Sequence, residues 1–464
     1  MSQKNQFNYR FLLSISFVSA MGGLLFGYDW VVIGGAKPFY EKFFDIAQSP
    51  SLQGWAMSCA LIGCLMGSIV SGILSDRYGR KRLLILAAFL FILSALGTGA
   101  TNSFHYFIFY RILGGVGIGL ASNLSPMYIA EISPRLVRGK FVSLNQLTIV
   151  IGILAAQLVN WQIAEPVAAN ATDLEILNSW NGQTGWRWMF WVEVIPAGLF
   201  FFLMFLVPES PRWLAKNGGE NKVIAILSRI GGEDYAKNEA QKIQETIEKD
   251  TGKVNFRQLL QPGLKKVLII GVVIAAFQQW CGINVIFNYA EEIFEAAGYG
   301  VSDILFNIVI TGSVNLIFTF VAILTVDRWG RRALMLMGTG GLVGIYALMG
   351  AAYYFQISGW PLLLLVISAI ACYAMSLAPV TWVVLSEIFP NRIRGAAMAV
   401  ATVALWLASF LLTYTFPLLN DSLGASGTFW LYGLISIAGF IFIFKKLPET
   451  KGKSLEEIEN EIVK

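Results

Sequence analysis

Three ionisable side chains stand inside long apolar runs: Asp29, Arg111 and Glu193. Unpaired, an Asp or Arg in the middle of a bilayer costs about 2.5–3.5 kcal/mol on insertion scales. Pairing lowers that cost and also creates a device. Burial raises a carboxylate's affinity for a proton, and a nearby guanidinium lowers it. A carboxylate whose distance from Arg111 changes with conformation therefore changes its proton affinity with conformation. A static structural ion pair is the plainer alternative. A second set is uncharged: Gln146, Gln278, Gln279, Asn284 and Asn315, with Trp382 and Trp406, all in apolar stretches. Amides donate and accept, and an indole plate covers an apolar ring face, so this set suits a neutral ligand rich in hydroxyls. Without a ligand, the same amides would serve as hydrogen bonds between helices. A third set of charges lies at the ends of apolar runs: Arg80, Glu131, Arg138, Glu209, Arg331, Glu387 and Arg394. Cations alone would suffice to anchor helix ends at a membrane surface. The matching acids point to pairs that can form and break across two parts of the chain.

The elements that position these residues follow from composition. Of 464 residues, 56% are hydrophobic and only 14% charged, against roughly a quarter charged in soluble proteins. That excess of apolar surface calls for an apolar solvent, and a span needs about 20 apolar residues. The fold class expected is an all-α membrane protein with twelve transmembrane helices. They are placed at 10–35, 52–75, 83–101, 105–128, 140–162, 187–207, 264–297, 302–326, 333–355, 360–386, 396–418 and 427–446. The chain then divides into a six-helix half at 1–207, a helical linker at 208–263, a second six-helix half at 264–447 and a tail at 448–464. Basic residues collect in the loops near 80, 135, 330 and 393, including Arg392, while the opposite loops offer Lys37, Lys42 and Arg187. Positive loops stay inside, so both termini are expected on the cytoplasmic face.

The net charge of +5 is gathered in loops rather than on one face, which argues against nucleic acid. Cys59, Cys64, Cys281 and Cys372 lie in apolar runs with no metal-ligand spacing and read as packing residues, and His105 is the one histidine. Neither a metal, a cofactor nor an enzymatic activity is expected. Gly114-Gly115-Val116-Gly117 sits inside an apolar run, where glycine favours close helix packing rather than a nucleotide cradle. The sequons at Asn170 and Asn420 fall on the outer side and matter only in a cell that glycosylates them.

The two halves repeat. Asp76-Arg77-Tyr78-Gly79-Arg80 corresponds to Asp327-Arg328-Trp329-Gly330-Arg331. Glu131 to Pro134 with Arg138-Gly139 corresponds to Glu387 to Pro390 with Arg394-Gly395, and Pro208-Glu209-Ser210 to Pro448-Glu449-Thr450. Such duplication points to a transporter that rocks one half against the other around a central site.

These motifs, with Gln278-Gln279 before Gly282-Ile283-Asn284, resemble the sugar porter family of the major facilitator superfamily over about residues 10–455. The likeness is nearest to its bacterial xylose–proton symporters, with animal facilitative glucose transporters more distant. It implies a proton-coupled carrier of a xylose- or glucose-like monosaccharide, working by alternating access as a monomer in the plasma membrane, the inner membrane of a bacterium. Its partners would be the monosaccharide, the proton and the lipid bilayer. It carries sugar contact onto the amide and tryptophan set, proton coupling onto Asp29, Arg111 and Glu193, and gate locking onto the terminal charges. A facilitative uniporter, or a sugar sensor on the same fold, are the alternatives. Asn288, Leu405, Ile153 and Ala378 depart from the family pattern, the first three at or beside the pocket, which leaves the sugar open.

Overall fold

The computed structural model describes residues 7–168, 171–249, 259, 261–390, 393–451 and 453, with the side chains of 248, 249, 262 and 327 left aside. Asn170, Arg392 and the tail beyond 453 lie outside the described residues. The first six passes are built from α1 (Tyr9–Phe43), α2 (Pro50–Tyr78), α3 (Arg80–Ala100), α4 (Phe104–Ile132) and α5 (Arg138–Ile163). A short outer helix α6 (Asp173–Asn178) follows, then a π turn at Asn181–Gly185 continuing into α7 (Trp186–Trp191) and α8 (Val194–Leu206) as one span. Next come α9 (Pro211–Lys216) and α10 (Glu220–Lys249). The second set comprises α11 (Pro262–Trp280), α12 (Ile283–Asn288), α13 (Ala290–Glu295), α14 (Val301–Trp329), α15 (Arg331–Tyr354), α16 (Trp360–Ala374), α17 (Leu377–Ile388) and α18 (Arg394–Lys446). Among the described residues, eleven elements are long and apolar enough to cross a bilayer. The 53-residue α18 is two helices meeting at Gly424 (φ 66°, ψ 173°), so it supplies the last two passes.

The apolar excess goes to two places. Part forms a continuous core through the bundle. The rest faces outward: Ile195, Phe202 and Leu206 are 72%, 70% and 81% exposed, a surface only lipid can cover at low cost. Small residues set the tightest crossings. A Cβ at Gly115 would collide with the carbonyl of Ala60, and one at Gly27 with that of Ile149, so backbones of α2 and α4, and of α1 and α5, approach as closely as glycine allows.

Two glycines need their backbone freedom for another reason. Gly79 (φ 90°, ψ 170°) and Gly330 (φ 88°, ψ 155°) make the sharp inner turns between α2 and α3 and between α14 and α15. That region of φ/ψ is open essentially to glycine alone. The turn leaves the first amides of the next helix unbonded, and a distant carboxylate caps each. Glu209 accepts from the N–H of Arg80 (3.0 Å) and Lys81 (3.2 Å), and Glu449 from those of Arg331 (2.9 Å) and Arg332 (3.1 Å).

The polar stretch folds as α9 and α10 with a small core of Leu214, Val223, Leu227, Ile230 and Ala236. It is held to the first set of spans: the Asn8 N–H donates to the Ile230 carbonyl at 2.7 Å, the Trp213 indole to the Asp76 carbonyl at 2.9 Å, and Lys216 pairs with Asp76 at 2.9 Å.

The expectation for the opposite loops is corrected here. Lys37, Lys42 and Arg187 are helical, Lys42 in the last turn of α1 and Arg187 in α7, and Lys37 is the plainest case. The first helix continues past its apolar run to Phe43, and Lys37 lies inside it, 2% exposed. The run could continue because Glu41, one turn on, meets the ammonium at 3.1 Å, and an i, i+4 pair of opposite charge supports a helix.

Candidate substrate and proton sites

α11 ends at Trp280, Cys281 caps it, and Gly282 (φ 86°) takes the left-handed conformation before α12 begins. The break frees amide side chains from the regular helix and lines them up. Gln278 donates through Nε2 to the Tyr373 hydroxyl on α16 at 2.6 Å. Gln279 donates to Gln278 Oε1 at 2.5 Å, and Asn284 donates to Gln279 Oε1. The row runs Tyr373, Gln278, Gln279, Asn284, and each amide is buried. Such a row holds its members in fixed rotamers and leaves them able to exchange partners with ligand hydroxyls.

Trp406, on α18, supplies a plate. Its ring centroid lies 6.0 Å from those of both Phe26 and Trp30 on α1, and its indole Nε1 is buried with no partner among the described residues. Among the described residues no hydrogen bond or ring contact ties Gln146, Asn315 or Trp382 to the amide row. Gln146 is half-buried on α5, Asn315 buried on α14, and Trp382 on α17 is 37% exposed. Tyr373, Phe26 and Trp30 were missed from sequence, since, unlike Trp382 and Trp406, they fell outside the set that the family resemblance marked. Gln157 was missed too. Both its side-chain polar atoms are buried and unpartnered among the described residues, and its carbonyl oxygen fills the space where Gly312 lacks a Cβ. Its spacing of three turns from Gln146 on α5 was the available signal.

Asp29 and Arg111 form a buried ion pair between α1 and α4, and Arg111 Nη2 also donates to the Asp29 carbonyl at 3.2 Å. They are 1% and 2% exposed. The second carboxylate oxygen of Asp29 has no partner among the described residues. Gly114 leaves it room, since a Cβ there would come within 2.9 Å. Glu193 sits at the junction of α7 and α8, 1% exposed, with no ion pair among the described residues. Arg111 also lies 5.6 Å from the Phe190 ring.

Among the described residues, two of the gate arginines form ion pairs within their own set of six spans. Arg80 meets Glu131 at 2.9 Å, and Arg331 meets Glu387 at 3.1 Å. Each acid is also held by the hydroxyl after its capping glutamate: Ser210 donates to Glu131, and Thr450 to Glu387 at 2.6 Å. Arg138 reaches only the Ser133 carbonyl and Arg394 the Phe389 carbonyl, with no carboxylate in ion-pair range of either among the described residues. Glu449 was not foreseen as a functional charge. Burial pushes its carboxyl up, but backbone N–H donors from Lys451, Arg331, Arg332 and Thr450 outweigh that and hold it below the usual carboxylate range.

Among the described residues, bonds joining the two sets run from the middle of the bundle outward. Lys37 meets Glu291 (3.2 Å) and Glu292 (2.7 Å), Trp55 packs on Phe410, Trp161 on Phe306, and the Val167 N–H donates to Ser302 at 2.9 Å. Among the described residues these contacts lie toward one end of the bundle, away from the ion pairs of Arg80 and Arg331.

Among the described residues, eleven candidate spans, one bent in two at Gly424, an amide row at a broken helix and a buried acid–arginine pair point to a membrane transporter. A profile of the family described as "Sugar (and other) transporter" matches residues 15–462, and the chain belongs to the sugar porter family of the major facilitator superfamily, a family of transporters rather than enzymes. It is 41% identical to the D-xylose-proton symporter of Escherichia coli (strain K12) over 98% of this chain and 96% of that one. It is 39% identical to the arabinose-proton symporter of Bacillus subtilis (strain 168), covering 97% and 94%. A glucose facilitated diffusion protein of Zymomonas mobilis is 34% identical, with 96% of each chain covered. Among solved structures, the inward-open conformation of the xylose transporter XylE from E. coli superposes with a TM-score of 0.83 at 38% identity, covering 97% of this chain and all of that one.

Proposed function

We propose that this chain is a proton-coupled monosaccharide symporter of the plasma membrane, both termini cytoplasmic, carrying a xylose- or glucose-like sugar by alternating access between its two halves. The observation that carries the proton is the buried Asp29–Arg111 pair. Deprotonated, Asp29 holds Arg111 by charge. Protonated, it is neutral and releases it, so the rearrangement of α1 against α4 depends on the proton. Glu193, buried at the junction of α7 and α8 with no ion pair among the described residues, is the third member of this coupling group. The sugar is held by the Gln278–Gln279–Asn284 row with Gln146 and Asn315, against the indoles of Trp382 and Trp406. Arg138 and Arg394, without carboxylate partners among the described residues, close the inner side by taking acids such as Glu131, Glu209 or Glu387 across the halves, with Arg80 and Arg331 keeping those acids poised.

The test uses proteoliposomes. Asp29→Asn imitates the protonated form permanently. Uptake against a gradient driven by a pH difference should vanish in this variant, while exchange of sugar across sugar-loaded vesicles persists. Uphill accumulation by Asp29→Asn removes Asp29 from the coupling role. A parent protein indifferent to the pH gradient supports facilitated diffusion instead, the reading that the Zymomonas relative favours.

A further inference from the structure

The contact that joins the two sets at α1 and α13 is unbalanced in charge. Lys37 Nζ lies 3.1 Å from Glu41, 3.2 Å from Glu291 and 2.7 Å from Glu292. One ammonium thus faces three carboxylates. Lys37, Glu41 and Glu291 are 2%, 5% and 8% exposed. The surroundings do not restore the balance. On α1, Lys42 is engaged by Asp173 of α6 at 3.5 Å. On α13, Glu295 adds another acid, and α14, packed on α13, begins with Asp303. From α2 comes only the neutral Gln53, donating to Glu41 Oε2 at 3.1 Å. The Tyr40 and Tyr289 hydroxyls donate elsewhere, to Met57 and to the Thr413 carbonyl.

Three carboxylates gathered around a single buried ammonium leave an excess of negative charge, and like charges this close and this dry repel one another. A second observation points to the same missing partner. Glu41 Oε1 and Glu292 Oε2 are both buried with no hydrogen-bond partner among the described residues. An unpartnered carboxylate oxygen in a dry site is where a proton is retained most readily. Burial pushes the Glu292 carboxyl up to about 8, the Lys37 ammonium opposing this and the Glu291 and Glu41 charges adding to it.

We propose that this contact, the outer gate, is itself a proton-binding site, distinct from Asp29: closing it takes a proton from the outer water onto the Glu41 and Glu292 carboxyls around Lys37, and opening it returns that proton. The O–H bond forms at one carboxylate as α13 meets α1, and breaks when the two part and water hydrates the acids. The closed gate binds more protons than the open one, so opening becomes easier as pH rises. The effect spans the window between the ordinary carboxylate value and the raised one. An acidic exterior therefore favours the state in which the outer side is shut and the inner side open. This rests on alternating access but not on which ligand is carried.

The experiment measures the outer distance by electron spin resonance in the full chain, reconstituted in lipid nanodiscs. Spin labels go on Ser51→Cys and Ser358→Cys, exposed positions at the outer ends of the two sets. The four native cysteines are replaced, and Asp29→Asn silences the other proton site. As pH is raised from 5.5 to 8.5, the open-to-closed ratio should climb by up to about tenfold per unit for one linked proton. Glu292→Gln, neutral at every pH, should keep the gate closed at pH 8.5 and flatten the response, and Glu41→Gln should do the same independently. Lys37→Met should shift closure to lower pH. The proposal is overturned if both glutamine variants keep the parent's slope, or if the parent populates both distances without responding to pH. A single distance under every condition, with and without D-xylose, defeats alternating access and this inference with it.

Discussion

Replacing Gln278 by Ala removes two side-chain hydrogen bonds at once, because its Nε2 serves Tyr373 and its Oε1 serves Gln279. When sugar hydroxyls take over that donor and acceptor, each bond between neutral groups contributes about 0.5–1.5 kcal/mol net, so the pair amounts to about 1–3 kcal/mol. At about 1.4 kcal/mol per tenfold, sugar affinity should fall by about fivefold to about 140-fold. Part of the loss is direct contact with sugar. The rest is indirect, since Gln279 without its acceptor no longer keeps one rotamer. The two parts separate in a double-mutant cycle. Gln278→Ala and Gln279→Ala should be non-additive, the double variant losing less than the sum of the singles, because each leans on the other. Tyr373→Phe, which removes only the hydroxyl at the end of the row, should weaken binding by the smaller, single-bond amount. Titration calorimetry of D-xylose and D-glucose with detergent-purified proteins gives the Kd values, and thermal melts confirm folding. Unchanged affinity in Gln278→Ala, or strict additivity of the two alanines, would refute the idea that the row binds sugar as a unit.

Arg394→Ala should leave the contacts of this structure nearly untouched, since Arg394 reaches only the Phe389 carbonyl here, yet weaken inner closure. In a background lacking the four native cysteines, a cysteine lining the inner cavity should label faster than in the parent, and equal labelling would dismiss the gate role. Gly79→Ala and Gly330→Ala each force a side chain into the glycine-only region and press a Cβ on Glu209 or Glu449. The backbone strain alone is about 1–3 kcal/mol, so each should lower the melting temperature. A melt indistinguishable from the parent's would mean that the turn relaxes freely.

Local features of the chain were sufficient to read the class. Span lengths, positive loops and the paired Gly79 and Gly330 motifs depend on residues near one another, where hydropathy and turn chemistry act directly. That Gln278, Gln279 and Asn284 lie together around a break at Gly282 was legible for the same reason, since all four fall within seven positions. Charge pairing was not legible. Sequence placed Arg80, Glu131, Arg331 and Glu387 at helix ends, but which set supplies each partner depends on how the helices pack. Glu449 could be seen in the repeat without any sign that it caps amides 118 residues away. Lys37 was the plainest failure. Its meaning depends on Glu291, 254 positions along the chain. No local pattern carries that distance, because a carboxylate and an ammonium become partners only when packing brings α13 against α1 and takes the water away.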